Sequence, residues 1–297
     1  MSNVERIKEK GRELGFELIG VTRAVPSPEL GFFRRWLDLG FAATMAWLKR
    51  GEEKRADPEK ILPGIKSIIC CGLNYYAGQR GDLVSRYAQG KDYHLILGEK
   101  LKELEKFILE KIDPRAQTKS YVDTGPILER SYAAQAGLGW IGKNTMLINN
   151  GLGSFFFIGE ILTTLALEDE DLPSLDQCGS CSLCLDACPT GALTEPYTLD
   201  SNRCIAYLTI EHRGDFLPEQ EKMMGGHLYG CDICQEVCPY NDRIPITPIQ
   251  DFHPDKIRTF DDWNRMTEEE FLAFTKERAM NRIKFPQWKR NLKNYLR

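Results

Sequence analysis

Eight of the ten cysteines in this 297-residue chain are spaced to carry electrons rather than to crosslink it. Cys178, Cys181, Cys184 and Cys188 form C-x2-C-x2-C-x3-C, and Pro189 follows. Cys231, Cys234 and Cys238 form C-x2-C-x3-C, followed by Pro239, and Cys204 stands between the two groups. In the bacterial two-cluster pattern the first three thiolates of a run hold one [4Fe-4S] cluster and the fourth crosses to the other. That rule assigns Cys178, Cys181, Cys184 and Cys238 to one cluster and Cys188, Cys204, Cys231 and Cys234 to the second, with no ligand missing. Structural zinc also favours C-x2-C pairs, but it explains neither the triple at 178, 181 and 184 nor the two C-x3-C-P endings. A disulfide framework belongs to small secreted chains. Cys70 and Cys71 lie in the apolar run from Ser67 to Gly72 and read as small hydrophobes in a buried strand.

Composition is ordinary for a globular chain, 42% hydrophobic and 28% charged. The length suits about two domains. No segment approaches the ~20 continuous apolar residues of a membrane span. The start, Met1 to Arg6, opens an amphipathic helix without a signal peptide's apolar core or a twin-arginine export signal. Many free thiolates then imply a reducing, cytoplasmic setting. The net charge of −4 argues against a nucleic-acid-binding surface over the whole molecule. The stretch from Arg278 to Arg297 differs, with seven basic residues (Arg278, Arg282, Lys284, Lys289, Arg290, Lys293, Arg297) and no acidic one. It reads either as a phosphate-tracking surface or as a solvated helix face.

The cysteines need a scaffold, and the first half of the chain alternates helix and strand signals. Helices are expected over Val4–Leu14, from Pro28 to near Gly51, over Asp92–Ile112 and over Ile127–Ala136. Strands are expected over Phe16–Val21, Ser67–Tyr76, Thr118–Val122, Asn144–Ile148 and Ser154–Leu165. This is an α/β (α+β) pattern of helices layered on a sheet. The acidic stretch from Glu168 to Pro173 reads as a linker. It separates an expected domain at 1–167 from a two-cluster module at 176–240, after which 241–297 forms a helical, basic extension. Thr267 with Glu270 makes a capping box.

Electrons delivered to the first domain need an acceptor there. No G-x-G-x-x-G follows its first strand, so a nicotinamide site is not expected. The four histidines (His94, His212, His227, His253) are too few and scattered for a several-histidine metal centre. The densest unusual stretch runs from Tyr121 through Asp123-Thr124-Gly125-Pro126 to Gly137-Leu138-Gly139-Trp140-Ile141-Gly142-Lys143-Asn144. Asp123 sits on a turn after a strand, where it is either a ligand-facing acid or an ordinary turn residue. The glycines are expected to let backbone approach a large flat ligand.

The motifs V-D-T-G and A-G-L-G-W-x-G-K-N, with Lys91-Asp92-Tyr93-His94 and the ordered cysteines, resemble the epoxyqueuosine reductase family. The resemblance implies a corrinoid-binding domain similar to reductive dehalogenases, joined to a ferredoxin-like module. It implies cobalamin beside the two [4Fe-4S] clusters. The implied reaction removes the epoxide oxygen of epoxyqueuosine at the tRNA wobble position, with two electrons and two protons, to leave queuosine. The family's proton-donating aspartate falls on Asp123, where burial should raise the carboxyl pKa. Positions similar to its corrin contacts are Arg55, Ser85, Asp123, Asn144, Thr145, Met146, Leu147, Ile158, Ala206, Cys231 and Asp232. Arg213, Gly214, Asp215 and Phe216 match a segment that contacts tRNA.

The resemblance further implies an external low-potential electron donor, no membrane and a monomer. Many members continue into helical repeats that help grip tRNA; this sequence stops at Arg297, where they would begin, as expected of either a short form or a shortened sequence. The rival expectations are a reductive dehalogenase-like corrinoid reductase and a non-catalytic electron carrier.

Overall fold

In the computed structural model, residues 1–78, 83–168 and 174–295 are described. Most of the expected 168–173 linker and Arg297 of the basic stretch lie outside them.

The chain opens with α1 (Asn3–Glu13), whose N-cap Ser2 forms a reciprocal capping box with Glu5. β1 (Leu18–Arg23) follows. The single helix expected up to Gly51 is broken into α2 (Leu30–Asp38), α3 (Ala46–Arg50) and α4 (Glu52–Ala56). The break comes at Gly40, whose φ of 72° is a helix-terminating conformation that costs glycine little. Next come β2 (Ser67–Asn74), α5 (Tyr93–Phe107, N-capped by Asp92), β3 (Thr118–Tyr121) and α6 (Glu129–Gln135). α5 stops earlier than expected because Ile108–Ile112 widens into a π-helical turn.

β4 (Trp140–Ile141) and β5 (Leu147–Ile148) form a two-stranded ribbon, so the strand expected over Asn144–Ile148 is mostly turn. β6 (Phe156–Thr163) completes the main sheet, whose order is β1-β2-β6-β3 with every pairing antiparallel. β2 is buried along its whole length, which accounts for the unbroken apolar run around Cys70 and Cys71. One core carries α1 and α5 and contains Ile7, Leu97, Leu101 and Ile161; the other carries α6 and contains Ile68, Tyr132, Leu147 and Leu162.

The cysteine region is built from short pieces: α7 (Leu183–Asp186), β7 (Leu193–Glu195), β8 (Thr198–Leu199), α8 (Ile205–Ile210), α9 (Pro218–Met223) and α10 (Ile233–Glu236). α11 (Phe260–Arg265), α12 (Glu268–Thr275) and α13 (Phe285–Tyr295) then enclose a third core around Trp263, Phe271 and Trp288. The Thr267–Glu270 capping box is present at the start of α12. Val84 and Ala88 from the first half of the chain belong to this third core. No helix among the described residues is long and apolar enough to cross a membrane.

Gly139 and Gly142 of the 137–142 motif let their backbone close against Ile148. A Cβ on Gly139 would lie 2.1 Å from the Ile148 carbonyl oxygen, and one on Gly142 would lie 2.4 Å from Ile148 Cδ1. Gly139→Ala is therefore expected to cost about 2 kcal/mol as an overpacked site. Urea denaturation measures this, and an unchanged midpoint would refute the close-packing account.

Candidate active site

A cleft of about 650 Å³ opens beside the loop that follows β3. Its wall is aromatic and apolar, with Phe32, Phe33, Trp36, Leu48 and Trp140, and its polar members include Arg55, Asp123, Glu129, Arg130 and Thr145. Phe33 and Trp36 reach the cleft from α2, where the Trp36 indole N–H donates to the Leu199 carbonyl at 2.6 Å.

Asp123 departs from the expectation of burial: it is exposed at the cleft. Its φ of 57° is the left-handed conformation that aspartate tolerates better than most residues. The Tyr93 hydroxyl donates to Asp123 Oδ2 at 3.0 Å. Tyr93 is fixed by stacking on Phe157, with ring centroids 4.2 Å apart and planes 9° apart. Burial and then the Asp123 charge push the Tyr93 hydroxyl well above the ordinary tyrosine range, so it remains a donor.

Beside Asp123, burial perturbs Glu129, the first residue of α6. Burial, then the Asp123 charge, push it up to about 8, against the opposing pull of Arg130 and Arg55. Behind it lies Glu160 in the middle of β6, fully buried, with its pKa driven well up by burial and by the Glu129 and Asp123 charges.

The eight thiols gather in two groups. Cys184 neighbours Cys178 and Cys238, and Cys238 neighbours Cys178 and Cys181. Cys231 neighbours Cys204 and Cys188, and Cys234 neighbours Cys231 and Cys204. Cys234 also senses Cys184, so the groups adjoin. Burial and then neighbouring thiols hold Cys184, Cys204, Cys234 and Cys238 above the usual thiol range, and push Cys231 up to about 12. Cys188 is the exception: burial opposes its thiolate, but N–H groups of Leu193, Thr190 and Ala192 bring it below that range. Thiolates collected this closely repel one another, and a cationic iron core offsets that repulsion. No three His, Cys, Asp or Glu side chains among the described residues converge on a single ion.

Lys143 and Asn144 join the two groups to the cleft. Lys143 Nζ donates to the Gly179 carbonyl at 2.5 Å and to the Cys181 carbonyl at 2.9 Å, and Asn144 Nδ2 donates to the Cys234 carbonyl at 3.1 Å. Thr145, next in the chain, lines the cleft with a φ of 66°, its carbonyl held by Arg130 Nη1 at 3.0 Å.

The residues expected to contact a corrin therefore separate. Arg55, Asp123 and Thr145 line the cleft. Ser85, Asn144, Cys231 and Asp232 lie around the second thiol group, where the Asp232 carboxyl accepts the Arg86 N–H at 2.8 Å and is raised to about 6 by burial. Leu147 is a core residue, Ile158 packs against the same core, and Met146 and Ala206 are half-buried.

Of the segment expected to touch tRNA, Arg213, Gly214 and Asp215 are exposed. Phe216 is not available: it is buried with Tyr207, Leu208 and Met224, under the Arg290 guanidinium at 4.0 Å. Arg290 itself donates to the carbonyls of His212, Gly214 and Leu208 at 3.0, 2.6 and 3.1 Å. Arg282 is likewise committed, to Glu211. Lys284, Lys289 and Lys293 are exposed, as is Arg282, which Glu211 nonetheless holds.

Comparison with known proteins bears on this geometry. Residues 55–124 match the family model described as "Epoxyqueuosine reductase QueG, DUF1730", and residues 177–241 match the "4Fe-4S double cluster binding domain". An epoxyqueuosine reductase of Leadbetterella byssophila is 40% identical over 97% of this chain and 96% of its own length. That of Escherichia coli is 39% identical over 97% of this chain and 79% of its own. Among solved structures, an epoxyqueuosine reductase with a tRNA-Tyr epoxyqueuosine-modified stem loop superposes with a TM-score of 0.87 at 32% identity, covering 98% of this chain and 80% of that one. The Bacillus subtilis enzyme, with its catalytic aspartate loop swung out of the active site, gives a TM-score of 0.84 at 31% identity over the same shares.

The buried acids make stability pH-dependent. A carboxyl whose folded pKa is raised from 4.5 to about 8 keeps its proton in the fold after the unfolded chain has lost it. Stability then falls as pH rises through that window. Glu160→Gln should flatten this decline in denaturation curves taken across the window; an unaltered slope would show that these acids are not its source.

Proposed function

The chain belongs to the epoxyqueuosine reductase family, and we propose that it reduces epoxyqueuosine in tRNA to queuosine at the cleft beside Asp123. One observation carries this reading. Asp123 lines a cleft whose wall includes Thr145, and Thr145 directly follows the pair that grips both cysteine groups. The site of chemistry and the source of electrons are thus joined through one turn.

The residues present fit both cofactors. Two sets of four thiols suit two [4Fe-4S] clusters, on Cys178, Cys181, Cys184 and Cys238 and on Cys188, Cys204, Cys231 and Cys234. The cleft suits a large flat ligand such as cobalamin: its wall is aromatic, and the Trp140 indole N–H is buried without an acceptor. No histidine lines the cleft to ligate cobalt from the protein side. Arg55, Asp123 and Thr145 would meet the ligand in the cleft, while Asn144, Ser85, Cys231 and Asp232 stand toward the clusters. Bound cobalamin supplies a low-valent cobalt centre able to pass two electrons, which the clusters draw from an external donor.

The protein's own contribution is orientation and proton supply. Asp123 delivers a proton from its carboxyl to the epoxide oxygen as the C–O bond opens. The Tyr93 hydroxyl fixes the carboxyl by its 3.0 Å hydrogen bond. The aromatic wall excludes water from the reacting carbons. Support for the aspartate assignment comes from the Bacillus subtilis relative, whose catalytic loop carries an aspartate. Asp123 here is also a loop residue, in a conformation that leaves its side chain free of the sheet.

The substrate is polyanionic, and the lysines at 284, 289 and 293 with the exposed 213–215 loop offer it a surface. Reversing the three lysines to glutamate is expected to weaken tRNA binding and to reduce the salt dependence of log K by about one per contacting lysine. Filter binding at several salt concentrations tests this; an unaltered slope would remove α13 from the interface. Arg290 is excluded from that set because it holds the 212–216 loop together.

The decisive assay is turnover of epoxyqueuosine tRNA by anaerobically reconstituted protein. Asp123→Asn should lower kcat by about 10²–10⁴-fold while leaving tRNA affinity and iron content unaltered. A variant within a factor of about two of the parent would remove Asp123 as the acid.

A further inference from the structure

Removing an epoxide oxygen as water requires two protons at the same atom. Both C–O bonds break, a carbon–carbon π bond and two O–H bonds form, and the external donor supplies two electrons. Asp123 carries one proton at a time. Once a substrate covers the cleft, it needs a second proton from within the protein.

The chain behind Asp123 holds an unexplained pair of acids. β3 pairs with β6 so that Tyr121 lies opposite Glu160, two residues before Asp123. Glu160 has no exposure, and neither of its carboxyl oxygens finds a hydrogen-bond donor among the described residues. Its polar neighbour is the Glu129 carboxyl, whose Oε1 is likewise sealed from water and unpartnered. Two ionised carboxylates offer each other no proton, so these oxygens are satisfied only when one acid is protonated. Glu129 reaches forward as well: it lines the cleft, and its carboxyl lies by the Asp123 backbone N–H. The three acids thus run from the interior of the sheet to the cleft.

We propose that Glu129 and Glu160 share the second proton of the reaction, and that Glu129 passes it to Asp123 after the first transfer. Glu129 acts through Asp123 and is a positioning and relay residue. The inference rests on Asp123 being the acid. The groups facing the pair are consistent with a held proton. Asp123 and the Cys71 thiol lie near Glu160; Asp123, Tyr93, Arg130 and Arg55 lie near Glu129. The two arginines act on Glu129, the member that must give the proton up, and burial leaves that carboxyl with a pKa of about 8.

The test compares Glu129→Gln, Glu160→Gln and Asp123→Asn in holoenzyme carrying both clusters and cobalamin, after thermal denaturation has established folding. Glutamine at 129 keeps an oxygen for the Asp123 N–H but cannot hand on a proton. We expect kcat to fall by about 10-fold or more with KM for tRNA unaltered, as for a lost proton-transfer step. The parent's decline in kcat as pH rises through about 8 should vanish in both glutamine variants. In the unloaded protein, infrared spectra at neutral pH should show a protonated carboxyl band that Glu160→Gln removes. Turnover and pH profile like the parent's in Glu129→Gln, with Asp123→Asn inactive, would overturn the relay alone. An active Asp123→Asn would overturn the acid assignment on which it rests. If Glu129→Gln does not fold, an unaltered pH profile in Glu160→Gln overturns the relay equally.

Discussion

Two adjacent side chains, Lys143 and Asn144, set the arrangement on which the rest of the site depends. One grips the loop of the first cysteine group and the other grips the second, and both project from the turn between β4 and β5. That turn can lie where it does because Gly139 and Gly142 let it close against Ile148. A second set of bonds repeats the connection from the opposite flank. The Ser154 N–H donates to Asn241 Oδ1 at 2.7 Å, Ser154 Oγ donates to Gln235 Oε1 at 3.0 Å, and Asn241 Nδ2 donates to the Gln235 carbonyl at 2.7 Å. All three residues are buried, so these bonds are sheltered from exchange with water, and deleting one partner would strand the others. Electron transfer depends steeply on distance, and these buried bonds fix the spacing between the sheet and the cysteine region.

The electrostatics divide along the same line. On the cysteine side, negative charge accumulates on thiolates that iron would neutralise. On the cleft side, it accumulates on carboxyls for which the fold provides two nearby arginines, Arg55 and Arg130, and no such partner for Glu160. The economical solution in a low-dielectric interior is to keep a proton rather than to ionise. A buried acid without a cation would be a poor choice for stability alone. It lies opposite Tyr121, two residues before Asp123, and the proposed relay would give it a use.

The parts of this design that could be read from sequence are those whose chemistry fixes spacing. Cluster ligation dictates the cysteine intervals, and the thiols assemble in the two groups that the intervals predict. Asp123 was an ordinary turn residue on spacing alone, and resemblance singled it out. The aromatic wall was illegible because Phe33 and Trp36 have helical periodicity, which does not say what a helix faces. The same limit hid Glu160: a glutamate in an apolar strand gives no sign of which acid it will meet. The glycines of that stretch showed in sequence that backbone comes close, not that two of them close on Ile148. The basic stretch divided for a similar reason, since Arg282 and Arg290 are consumed by partners roughly 70 to 80 residues away.

That last separation bears on the order in which the protein is made. The carbonyls of Leu208, His212 and Gly214 receive the Arg290 guanidinium, and Asn291 Nδ2 donates to the carbonyls of Thr209 and Leu228. α8 begins directly after Cys204, a member of the second thiol group. During synthesis all eight cysteines have left the ribosome well before residues 290 and 291 exist. The segment carrying Cys204 is therefore without its final brace through the time needed to translate some fifty residues, a few seconds at cellular rates of about 5–20 residues per second. The α13 segment is thus the last-made part of the contacts around α8.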